Sequence, residues 1–77
     1  MEDLLEYLAR ALVDKPEEVS VESFEEDDGT VVLELHVAED EAGKVIGRGG
    51  RTVAALRTVM KAASVRHGHR VLVDVFD

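Results

Sequence analysis

Val45-Ile46-Gly47-Arg48-Gly49-Gly50-Arg51-Thr52-Val53 is the stretch on which the fold turns. Glycine inside a helix costs about 1 kcal/mol relative to alanine. Three glycines in four positions therefore predict a bend, one that tolerates left-handed backbone angles and close approach of another chain. On its N-terminal side, residues 39–46 read as a short helix opening with Glu39, Asp40 and Glu41, whose charges suit a helix's positive end. On its C-terminal side, a longer helix runs from Arg51 to about Arg66, with Val53, Leu56, Met60 and Ala63 on one face and Arg57 and Lys61 on its flank. The bend thus joins two helices, and the second starts where the glycines end.

Further out, Val31, Leu33, Leu35 and Val37 alternate with Thr30, Val32, Glu34 and His36, the period of a strand over 30–37. A second strand over 19–25 precedes it across Glu26-Asp27-Asp28-Gly29. Asp-Gly supports a tight turn because both residues tolerate positive φ, so the two strands form an antiparallel hairpin. Residues 3–13 carry Leu4, Leu5, Leu8, Ala11 and Leu12 at helical spacing, with Asp3 and Glu6 placed for a capping box and Pro16 stopping the helix near Asp14. After Gly68, the alternation of Val71, Val73 and Val75 marks a last strand. The order is α-β-β-α-α-β. A two-helix crossover between the second and third strands favours their parallel pairing. The fold class is therefore α+β, a three-stranded mixed sheet with three helices on one face. The other face carries Phe24, Val32, Glu34, His36, Leu72 and Phe76, whose apolar members suit a satellite cluster or a contact for a second copy or partner.

The 77 residues are enough for one domain, 1–77, and too few for two. A domain this small buries only about 60% of its unfolded surface, which speaks against a deep two-lobed cleft. Cysteine is absent, so disulfides and thiolate metal sites are excluded. No apolar run approaches the ~20 residues that span a bilayer, and Met1 is followed by Glu2 and Asp3, so a cytoplasmic location is expected.

The net charge of −8 hides a strong segregation. Residues 1–42 hold 15 acids and 2 bases, whereas residues 43–70 hold 7 bases (Lys44, Arg48, Arg51, Arg57, Lys61, Arg66, Arg70) and no acid. One positive surface on a negative body suits a polyanion approached in one orientation. The bend fits the same ligand. Free N–H groups at the start of the second helix point into it and favour an anion, with Arg48 at the tip and Arg51 beside it.

Other phosphate loops fail on spacing. A Walker-type loop counted from Gly43 has Arg48 where glycine is required. The dinucleotide fingerprint counted from Gly47 meets Thr52 in place of glycine, and a kinase loop joins strands rather than helices.

The nine-residue stretch resembles the V-I-G-x-x-G-x-x-I/V signature of KH domains, and the helix-first order resembles their type II arrangement. The whole chain is similar to the small bacterial single-KH RNA-binding proteins of the KhpA family. That likeness runs through Leu4–Val13, Glu18-Val19-Ser20-Val21, Gly43–Gly47 and Leu56–Ala63. The resemblance implies a shallow groove for about four single-stranded nucleotides, clamped by the GxxG loop. Gly47, Arg48, Gly49 and Gly50 then face the sugar-phosphate, Ile46 and Val53 support the floor under the bases, and Lys44 and Arg51 add charge at the rim. Arg57, Lys61, Arg66 and Arg70 are further candidates for the rim. It also implies a homodimer, or a heterodimer with a KhpB-like KH protein. The chain departs from a doubly cationic loop at Gly49, which leaves Arg48 as the one cationic side chain inside it.

With only Tyr7, Phe24 and Phe76, the chain lacks the aromatic platform of other single-strand binders. His67-Gly68-His69 lacks a third ligand at ordinary spacing, so no metal site is expected there. No nucleophile, base and orienter can be assembled, and neither enzyme activity, cofactor, membrane nor small-molecule substrate is expected. Two functions remain. One is a single-stranded RNA binder acting as a post-transcriptional regulator or RNA chaperone, favoured by the acid-free stretch and the GxxG. The other is a KH-fold interaction module that dimerises or pairs with a KhpB-like partner with weak RNA contact, favoured by the acidic body and Gly49.

Overall fold

The computed structural model describes residues 1–76. Helix α1 spans Glu2–Arg10, strand β1 Ser20–Glu25, β2 Val31–His36, helix α2 Ala42–Ile46, α3 Arg51–Val65 and β3 Val71–Phe76. Short 3-10 turns at Pro16–Glu18 and Arg48–Gly50 complete the chain. The sheet order is β1-β2-β3, antiparallel between β1 and β2 and parallel between β2 and β3. This is the α-β-β-α-α-β order and mixed sheet expected from the sequence. No helix among the described residues is long and apolar enough to cross a membrane.

The core lies between the helices and one sheet face. Leu5, Leu33, Leu35, Val45 and Met60 are fully buried, joined by Ala9, Leu56 and Val73. Each large apolar side chain so buried contributes about 1.5–3 kcal/mol. On the other face, register sets Phe24, Val32 and Leu72 in one row and Glu22, Glu34 and Asp74 in the next. His36 stacks on Phe76, ring centroids 5.3 Å apart, and its Nε2 is buried without a hydrogen-bond partner.

Several boundaries differ from the sequence reading, and hydrogen bonding explains them. Helix α1 ends at Arg10 rather than near Asp14, because the N–H groups of Asp14 and Lys15 turn to the Glu41 carboxylate (2.5 and 3.0 Å). Ala11 and Leu12 consequently leave the buried stripe, which holds Leu5 and Ala9. The capping box is absent. Met1 occupies the N-cap with no side-chain cap, and Glu6 pairs with Arg10 at 2.5 Å.

Helix α2 starts at Ala42, so Glu39, Asp40 and Glu41 precede it rather than open it. In the hairpin only Gly29 has positive φ (87°), and Glu26 N–H donates to Thr30 C=O at 2.8 Å. The loop is therefore three residues, ending on a left-handed glycine. The Asp28 carboxylate accepts from Thr30 N–H at 2.9 Å, which holds its pKa below the ordinary value. On α3 the buried stripe ends at Ser64 rather than Ala63, the Ser64 hydroxyl donating to Lys61 C=O.

Candidate nucleic-acid interface

The three glycines of the bend meet two different demands. At Gly47 (φ 78°, ψ 167°) a Cβ would stand 2.2 Å from Thr52 Oγ1 and 2.9 Å from Thr52 N, so the chain passes too close for any side chain. At Gly49 (φ 65°, ψ 18°) and Gly50 (φ 76°, ψ 14°) a Cβ meets nothing within 4 Å, and only the left-handed backbone favours glycine. Gly50 N–H donates to Gly47 C=O at 3.1 Å, closing the turn. Gly50 is also the N-cap of α3, and having no side chain it leaves the helix start without a side-chain cap. Amide donors and the positive end of a 15-residue helix thus lie at the bend, beside the exposed Arg48 and Arg51.

A hollow of about 460 Å³ opens beside the bend, lined by Ile46, Val53, Arg57, Asp74, Val75 and Phe76. A second, of about 350 Å³, continues along Arg57, Lys61 and Val71–Asp74. Together they form a shallow channel between α3 and the outer edge of β3. Ile46 is 40% exposed and forms floor, whereas Val53, 7% exposed, is mostly core.

The edge of β3 has a definite polarity. Val31 N–H donates to Arg70 C=O and Val37 N–H to Phe76 C=O, at 2.7 and 3.1 Å. Even-numbered positions of β3 therefore turn their backbone groups toward β2, and Val71, Val73 and Val75 turn theirs into the channel. The Arg57 guanidinium crosses the channel and donates from Nε and Nη2 to Val73 C=O, at 3.2 and 3.1 Å.

The remaining cations separate by location. Lys44 is turned away from the channel toward Asp14 and Glu41, and their carboxylates raise its pKa, Asp14 foremost. Arg66 lies with Ala62, Ala63 and His67 around another hollow at the far end of α3. Arg70 stands at the start of β3, away from the bend. Of the expected residues, the structure brings together Ile46, the Gly47–Gly50 bend, Arg51, Val53, Arg57 and Lys61, and leaves Lys44, Arg66 and Arg70 apart. Sequence reasoning missed Thr52, which packs on Gly47, and Asp74 and Val75, which line the channel. It set Phe76 on the open sheet face alone, although Phe76 also closes one end of the channel. No local pattern marks β3 as the channel wall, because that follows from its edge position.

Among the described residues, the three bases ahead of the bend, Arg10, Lys15 and Lys44, pair with carboxylates, and the six from Arg48 to Arg70 form no ion pair. The positive surface is therefore α3 and the bend.

A family model described as the KH domain of KhpA and KhpB matches residues 2–75. The RNA-binding protein KhpA of Clostridium acetobutylicum is 47% identical over 75 residues, covering 97% of this chain and 99% of that protein. The RNA-binding protein KhpA of Halalkalibacterium halodurans is 47% identical over 78 residues, covering all of both chains. That of Treponema pallidum is 42% identical over 76 residues, covering 99% of this chain and 94% of the other.

Proposed function

Since this chain belongs to the KhpA/KhpB KH-domain family, we propose that it binds single-stranded RNA in the channel between α3 and β3. It acts as a non-catalytic cytoplasmic factor of post-transcriptional regulation or an RNA chaperone. The backbone of about four nucleotides runs over Gly47–Gly50 and the α3 N-terminus, with bases on Ile46 and the β3 edge. Arg48 and Arg51 meet phosphates, and Lys61 extends the positive rim. The observation that carries this reading is that, among the described residues, the cations at the bend and along α3 form no ion pair, while the three ahead of the bend, Arg10, Lys15 and Lys44, are paired with carboxylates. The names of the relatives, RNA-binding protein KhpA, support it.

The test is RNA affinity of wild type against Arg48→Asp/Gly49→Asp across a salt series. Both side chains enter open space, and aspartate tolerates the left-handed angles of position 49, so the fold should persist. Two carboxylates facing phosphate should lower affinity at least about tenfold, and loss of one cation should reduce the log–log salt slope by about 0.7. Equal binding by the mutant rejects this site.

A second reading, a module that dimerises or pairs with a KhpB-like protein, is supported by the exposed Phe24, Leu72 and Phe76 on the open sheet face. Mass measurement of the purified protein with and without RNA distinguishes the two. A dimer that forms regardless of RNA and binds it weakly favours the module.

A further inference from the structure

Arg57 occupies the middle of the channel, and its two-pronged bond is made to a strand edge rather than to a carboxylate. An open edge offers a base both a carbonyl acceptor and an amide donor. Here the outward groups belong to Val71, Val73 and Val75, and the Val73 carbonyl is already taken by the guanidinium. Among the described residues, Val73 N–H and Val75 N–H have no partner beyond the sheet. The Val71 and Val75 carbonyls also face outward, toward the two ends of the channel. At its centre, where Val73 C=O and Val75 N–H stand next to each other, the acceptor is taken and the donor is left, and the guanidinium adds its remaining N–H groups.

We infer that Arg57 sets the base preference of the channel. By holding the Val73 carbonyl it removes the acceptor an adenine amino group needs, and it selects bases that turn carbonyl oxygens to the edge, uracil above all. The inference rests on the RNA reading above and adds one base-reading position to a grip otherwise indifferent to sequence. A base edge that meets donors alone is stabilised when it brings acceptors, and one that brings an amino group loses a hydrogen bond on burial. Asp74 is the one side-chain acceptor lining both hollows. A base read by Asp74 instead would have to offer an amino group, and adenine or cytosine would then be favoured.

The test titrates the full chain with labelled eight-nucleotide U8 and A8, using wild type, Arg57→Met and Arg57→Lys, each first checked for fold by circular dichroism. Wild type should favour U8. Arg57→Met keeps the apolar stem, frees the Val73 carbonyl and should cut the U8-to-A8 affinity ratio about tenfold. Stacking within A8 is common to all three proteins and cancels in that comparison. Arg57→Lys keeps the charge and so the salt slope, but one ammonium replaces the fork, and the ratio should fall through a loss of U8 affinity that A8 does not share. If Arg57→Met weakens both RNAs by one common factor, Arg57 acts only as a charge and the inference fails alone. Preference of wild type for A8 overturns it in favour of Asp74. Failure of wild type to bind either RNA removes the RNA reading together with it.

Discussion

At Gly47, backbone angles and space make the same demand. Its φ and ψ lie in a region that only glycine enters without strain of about 1–3 kcal/mol, and Thr52 fills the place where a side chain would sit. Gly47→Ala should therefore cost about 3 kcal/mol, lowering the melting temperature by at least about 10 °C. Gly49→Ala, with open space around it, should cost only about 1 kcal/mol. Thermal unfolding of the two variants checks this, and equal losses would mean that the Gly47–Thr52 contact is not tight. The sequence marks all three glycines as a bend without distinguishing them. Which one is hemmed in depends on where Thr52 packs, and five residues of separation in sequence do not convey that. Likewise Arg57 reads in sequence as a charge on a helix flank. Its partner is a backbone carbonyl sixteen residues on, and such a group leaves no trace in residue type.

Among the elements, α2 is held in place by a side chain outside it. Glu41 is 2% exposed and accepts the N–H groups of Asp14 and Lys15, tying the segment after α1 to the start of the helix that leads into the bend. Two amides otherwise left unsatisfied meet one carboxylate, with Lys44 alongside. Removing that acceptor leaves two part-buried amides without their partner and empties the space the buried Glu41 side chain fills, so Glu41→Ala should lose about 2 kcal/mol and Glu41→Gln less. Urea unfolding at unchanged m value reads the difference, and a loss under about 0.5 kcal/mol, typical of a surface change, would contradict the clasp.

The order and type of all six main elements are legible in the sequence, because hydrophobic period and glycine position are local signals. The end of α1 and the start of α2 are not, because the two meet at Glu41, whose carboxylate takes amides 26 and 27 residues back in the chain. In the run Glu39-Asp40-Glu41, three like charges suggested a helix-dipole role. Asp40 instead pairs with Lys15, which lowers its pKa, and Glu41 is buried.

Over the whole molecule, the charge segregation visible in the sequence survives folding in sharper form. Glu22, Glu34 and Asp74 line up across the open sheet face, while the cations free of ion pairs, Arg70 apart, gather at the bend and along α3. A polyanion is repelled from one side and drawn to the other. What the residue count alone does not convey is how few of the seven bases attend the channel: Arg48, Arg51, Arg57 and Lys61 do, and Lys44, Arg66 and Arg70 look elsewhere.

The most direct test of RNA binding at the bend is amide chemical-shift mapping of the full chain titrated with U8. The largest changes should fall on residues 46–53, on Arg57 and on 73–76, with the hairpin around 25–29 silent. Changes concentrated on Glu22, Phe24 and Val32 of the open face, with the Gly47–Gly50 bend unmoved, would contradict it.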